Sequence, residues 1–175
     1  MIDLETLAVS PDAVILTMGA VKFDPYTNTI GEGLYLRLDV NEQAEQGRFI
    51  DPDTVDWWGQ QAADVREEAL GDENRVSITE FKDQLNRFLV GAGDIWAQGP
   101  TFDIVILENL YRQFGFPCNW KYYQINDSRT LFKVHGDPRE RGKAGLHNAL
   151  EDCISQAKGV QQVYRRVGIT KQGRF

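Results

Sequence analysis

The run Ala13-Val14-Ile15-Leu16-Thr17-Met18-Gly19-Ala20-Val21-Lys22-Phe23 is β-rich, with turn chemistry on both sides. Ser10-Pro11-Asp12 precedes it, and Asp24-Pro25 and Asn28 follow. Upstream, residues 1–6 form a short apolar start. Downstream, residues 30–38 alternate, with Leu34, Leu36 and Leu38 on one face and Tyr35 and Arg37 on the other. Three successive strands with short connections predict an antiparallel meander.

The chain then changes character. Residues 39–76 are acidic, and Asp51-Pro52-Asp53 reads as a helix start with Pro near the first turn. That helix carries Val55, Trp57, Trp58 and Gln61, and a second helix is expected over residues 63–70. Ser77-Ile78-Thr79-Glu80 resembles a capping box. It opens a helix with Phe81, Leu85, Phe88 and Leu89 at helical spacing, ending near Gly91. Residues 94–97 read as a short strand, and a helix with Ile104, Leu107, Leu110 and Tyr111 starts at Thr101. Residues 122–126 are the last expected strand, a helix spans 128 to about 134, and a polar loop covers 136–145. A final helix runs from about 146 to 167. Helices between the later strands imply parallel crossovers. The expected α/β architecture is one mixed five-stranded sheet, three antiparallel and two parallel strands, flanked by helices. It forms a single domain over residues 1–175, with a helical insertion at about 39–76.

Composition sets the outer limits. A chain of 175 residues fits one domain that buries roughly 70% of its unfolded surface. Hydrophobic residues make up 42%, enough for a core. No apolar run approaches the ~20 residues that span a bilayer, and Met1-Ile2-Asp3-Leu4-Glu5 has acids where a signal peptide is apolar. Cys118 and Cys153 lack metal-site spacing and read as reduced thiols of a cytoplasmic protein. The net charge is −7, a mark against a nucleic-acid binder, but its distribution is uneven. Residues 1–128 hold nine Lys/Arg against 22 Asp/Glu, whereas residues 129–175 hold ten against four. Arg139, Arg141 and Lys143 flank His147 and are the better phosphate candidates in that basic quarter. The residues beyond Lys158 read equally as a solvated helix face.

Three weak signals carry possible chemistry. In Asp3-Leu4-Glu5-Thr6, strand alternation projects Asp3 and Glu5 from one face. Two adjacent carboxylates suit a hard divalent cation, although the same pair also describes a solvated strand end. Asp103 falls in the first turn of a helix after Gly99-Pro100, where the macrodipole alone favours a carboxylate. His147 and Asp152 are five residues apart, about 140° around an ideal helix, so they do not share a face. The useful arrangement keeps Asp152 on the helix and His147 at its frayed start, where an imidazole can take a proton from water near neutral pH.

The order and context of these residues resemble the DEDDh 3′–5′ exonucleases of the ribonuclease H-like superfamily. Asp3-Leu4-Glu5-Thr6 resembles the opening D-x-E motif, Asp103 the second acidic motif, and His147 through Asp152 the H-x4-D motif. Thr54-Val55-Asp56-Trp57-Trp58, with Gln61, is similar to a segment of phage exonuclease A and its bacterial exoribonuclease relatives. The resemblance implies that Asp3, Glu5, Asp103 and Asp152 hold two Mg²⁺ or Mn²⁺ ions, about 3.5–4 Å apart. His147 is then the general base, and nucleoside 5′-monophosphates leave a 3′ end. It further implies that Thr6, Leu7 and Phe102 line the terminal nucleotide. Trp57, Trp58 and Gln61 lie near the site, one Trp in the core and one toward substrate, and Arg129 is a phosphate ligand or a structural ion-pair residue.

The expected activity is release of mononucleotides from single-stranded DNA 3′ ends. Trimming of RNA 3′ ends is the alternative, and a non-catalytic nucleic-acid-binding module or an endonuclease of the same superfamily is less favoured. The expected partners are single-stranded nucleic acid 3′ ends, no membrane and a possible homodimer, in the cytoplasm of the host cell if phage-encoded. Only Met1 and Ile2 precede the first acid, fewer than is usual in the family, so a native start further upstream is expected.

Overall fold

The computed structural model describes residues 1–139 and 147–171. Strands β1 (Ile2–Thr6), β2 (Ile15–Phe23) and β3 (Ile30–Leu38) form the expected antiparallel meander. Helices α1 (Val40–Glu45), α2 (Pro52–Gly59) and α3 (Ala63–Leu70) follow, and a two-residue strand β4 (Arg75–Val76) pairs parallel to β3. Then come α4 (Ile78–Phe88), β5 (Ile95–Ala97), α5 (Pro100–Gln113), β6 (Ile125–Asp127), α6 (Ser128–His135) and α7 (Ala149–Val167).

Local chemistry explains most boundaries. Asp51 caps α2 by accepting from the Asp53 N–H, with Pro52 in the first turn, and Ser77 caps α4 by accepting from the Glu80 N–H. Neither α1 nor β4 was expected within the acidic insertion. Asp39 caps α1, and β4 is only two residues long, too short to show a period. Residues 122–124, expected to begin the last strand, form a 3₁₀ turn ahead of β6.

The expected five-stranded sheet is not formed. The strands make a four-stranded sheet in the order β1-β2-β3-β4 and a separate parallel pair, β5-β6. The reason lies at the free edge of β1. Met1 and Val21 exchange both backbone bonds across the β1–β2 ladder, which leaves Leu4 in a pair that does not hydrogen-bond to β2. Its N–H donates instead to Asp103 Oδ1 at 3.1 Å, so a carboxylate takes the donor that a neighbouring strand would have used. The architecture remains α/β and compatible with a ribonuclease H-like fold.

Alternation in β1 sorts its side chains. Ile2 and Leu4 enter the main core with Ile78, Phe81, Leu85, Leu107 and Leu110 of α4 and α5. Asp3 and Glu5 project from the other face, where α7 packs. There Cys153, Ala157, Val160 and Val163 of α7 meet Val21 and Trp96. The seat of α7 is Gly19, the partner of Asp3 in the ladder. A Cβ at Gly19 would fall 2.2 Å from the Ala149 carbonyl and 2.4 Å from the Leu150 nitrogen, both backbone groups. A side chain there cannot coexist with α7 in place. Among the described residues no helix is long and apolar enough to cross a membrane.

Gly19→Ala is therefore expected to lower the melting temperature by roughly 5–10 °C, the scale of a core overpacking error. Gly59→Ala, where a Cβ meets nothing within 4 Å, is the control and should be neutral or slightly stabilising in a thermal melt. Equal melting temperatures for the two variants would contradict this account of α7 docking.

Candidate active site

Three carboxylates converge where α7 crosses β1. Asp3, Glu5 and Asp152 each offer an oxygen, and these oxygens all lie within 4.8 Å of one another. The two β1 acids reach the same face because they are two apart on a strand. Asp152 reaches it from the first turn of α7, which Asn148 caps by accepting from the Leu150 and Glu151 N–H groups at 3.1 Å. Asp103 stands outside this triad. It is buried in the first turn of α5, with one oxygen on the Leu4 N–H, and its charge still acts on Asp3 and Glu5.

The electrostatics are those of like charges gathered at a half-buried position. Burial pushes the Asp3 carboxyl up to about 7, and Asp152 adds to the rise. A hydrogen bond from Gln156 and the charge of Arg139 act in the opposite direction. Burial likewise pushes Glu5 up to about 8, reinforced by Asp3, Asp152 and Asp103. Asp103 and Asp152 are raised for the same first reason. Such a cluster is costly without a cation, and an all-oxygen donor set fits a hard divalent ion such as Mg²⁺ or Mn²⁺.

His147 lies outside α7, while Asp152 lies on it. Its backbone has φ +69°, a left-handed conformation uncommon for a residue with a Cβ. A backbone hydrogen bond from His147 favours the ionised form of Asp152. The His147 ring packs against both indoles of α2, 4.9 Å from Trp57 and 5.9 Å from Trp58, each edge-to-face. Of the Trp pair, one lies in the core and one at the surface. Trp58 is buried beside Leu7, Val14 and Leu16 and donates Nε1–H to the Thr6 carbonyl at 3.0 Å. Trp57 is 41% exposed at the rim.

The other residues expected near the nucleotide are placed as follows. Thr6 is buried, and its hydroxyl donates to the Ala8 carbonyl. Leu7 is buried against Trp58, and Phe102 is half-buried against the main core. Gln61 donates to the Trp57 carbonyl and so closes the end of α2. Arg129 is exposed and donates to the Gln98 carbonyl. Its guanidinium lies over Gly99, whose φ of +96° and lack of a Cβ let the chain turn from β5 into α5. Arg139 pairs with Asp137 through two bonds of 2.9 and 2.7 Å and lies over the Phe132 ring. Arg141 and Lys143 fall outside the described residues.

Sequence reasoning missed Gly19 and Gln156. A lone glycine inside a β-rich run signals a close backbone approach, and Gln156 lies one turn beyond Asp152 on α7.

The carboxyl shifts make a signed prediction. Unfolded Asp and Glu titrate near 4, and here two groups titrate near 7 and 8, so the folded chain holds the extra protons between those limits. Their contribution to stability is full below pH about 4 and is lost as pH rises through about 8. In EDTA the melting temperature should fall between pH 5.5 and 8.5, and Mn²⁺ should reverse the fall. A melting temperature in EDTA that climbs over that range would contradict the clustering.

Two comparisons bear on this geometry. No curated protein matches the chain. A family model, described as the 3′–5′ exoribonuclease Rv2179c-like domain, matches residues 1–164, which include every carboxylate above and His147. The chain thus belongs to the Rv2179c-like 3′–5′ exoribonuclease domain family and is a 3′–5′ exonuclease.

Proposed function

We propose that this exonuclease trims single-stranded RNA from its 3′ end, releasing nucleoside 5′-monophosphates, by the DEDDh arrangement. The observation that carries the reading is the triad of Asp3, Glu5 and Asp152 within 4.8 Å, in a chain of this family. The choice of RNA over the DNA first expected rests on the family's description.

In this reading Asp3, Glu5 and Asp152 hold divalent cations, two Mg²⁺ or Mn²⁺ ions, with Asp103 as the fourth acid. Bound there, such cations supply charge neutralisation at the scissile phosphate and acidify a water. The chain's own groups do the rest. His147, outside the helix and braced by Trp57 and Trp58, takes the proton of the attacking water. The Asp152 carboxylate, favoured by the His147 backbone N–H, holds that residue at the edge of the cluster. Trp57, exposed and next to His147, offers a face on which a terminal base can stack, worth about 1–3 kcal/mol in comparable sites. Arg129 is exposed within the field of Asp103 and is the candidate for a backbone phosphate.

Matched RNA and DNA oligonucleotides, labelled at either end, test the substrate. With Mn²⁺, label at the 3′ end should leave first as mononucleotide, and RNA should be degraded at least about tenfold faster, about 1.4 kcal/mol of discrimination. Faster DNA degradation would overturn the choice of RNA, and cutting of a circular strand would overturn exonuclease action. Asp3→Ala, Asp103→Ala and Asp152→Ala should each abolish turnover with the circular-dichroism spectrum retained, so normal turnover in any of them refutes that residue's assignment. His147→Ala should slow turnover by roughly 10²–10⁴ while Mn²⁺ binding persists.

A further inference from the structure

Gln156 lies on α7 one turn past Asp152 and is only 4% exposed. Its helix neighbours Cys153, Ala157 and Val160 are completely buried, so this face of α7 lies in the core. Its Nε2 donates to Asp3 Oδ1 at 2.9 Å, across 153 residues of sequence. Its Oε1 is also buried, and among the described residues it has no hydrogen-bond partner.

A glutamine kept in a core for stability has both halves of its amide satisfied. Here the Nε2 half is satisfied by Asp3, and no described residue meets the Oε1 half. The half that is satisfied meets one group, the carboxylate of Asp3. We propose that Gln156 is the positioning residue of the divalent-cation site. It fixes the Asp3 carboxylate by engaging Oδ1, so that the remaining oxygen is the one available to a cation. This role rests on the cation reading of the triad of Asp3, Glu5 and Asp152.

The residue type suits the task. A neutral amide orients a carboxylate without bringing a positive charge that competes with the cation. A lysine or arginine in its place would supply that charge. A glutamate would add a further negative charge to the cluster and offer Asp3 no donor when ionised. Partners that orient a ligating side chain in this way commonly change metal affinity by 10–100-fold.

The test is Mn²⁺ titration of the full chain by calorimetry, paired with thermal melts in EDTA. Gln156→Met keeps the length and removes the donor, and Gln156→Leu is a second apolar replacement should the first fold poorly. The expected result is a Kd for Mn²⁺ weakened about 10–100-fold, with a melting temperature in EDTA equal to or above that of the wild type. Mn²⁺ affinity equal to wild type in a folded variant would overturn the proposal. So would a lowered melting temperature with unchanged affinity, the mark of a packing residue. Wild-type protein that takes up no Mn²⁺ would overturn the cation reading, and this role with it.

Discussion

The whole site depends on how closely the first turn of α7 lies on the sheet at Gly19. In the ladder Gly19 stands between Asp3 and Tyr35, and a side chain there would rise from the face that carries Asp3. Without one, the backbone of Ala149 and Leu150 lies directly over β2. The approach is fastened by Cys153, whose thiol donates to the Gly19 carbonyl at 3.2 Å, and by Leu150, packed at Gly33. Once the helix is seated, its pitch does the rest. Asp152 arrives beside Asp3 and Glu5, and Gln156 meets Asp3 one turn later. A carboxylate triad separated by almost the whole chain is thereby assembled by one missing side chain.

Acidic charge gathers at that triad. The net charge of −7 combines an acidic first 128 residues with a basic remainder, and several of the arginines are tied to the fold. Arg165 donates to Asn28, Arg166 to the His135 and Gly136 carbonyls, and Arg139 to Asp137. Arg48, in the acidic half, is buried and donates to the Ala13 carbonyl and to Asn109 and Gln113. A protein built this way is poorly suited to hold a duplex along its length. It suits the contact at a chain end that a 3′–5′ exonuclease makes.

The parts legible in the sequence were those with a local signature. Alternation in β1 placed Asp3 and Glu5 on one face. Helical angle separated His147 from Asp152, and capping residues marked the starts of α2 and α4. The parts that were not legible depend on distant partners. The split of the sheet follows from Asp103 taking the Leu4 N–H, a contact between residues 99 apart. Which Trp is buried follows from the Thr6 carbonyl reaching Trp58 Nε1, 52 residues away. Gln156 has no motif of its own and acquires meaning only when α7 lies across β1.

The central claim is that the carboxylates gathered at the β1–α7 crossing bind a divalent cation. Crystals grown with Mn²⁺ and measured at the manganese absorption edge test it most directly. The account predicts an anomalous peak within coordinating distance of Asp3, Glu5 and Asp152. A map without a peak there, from protein that degrades RNA under the same Mn²⁺ conditions, would contradict it.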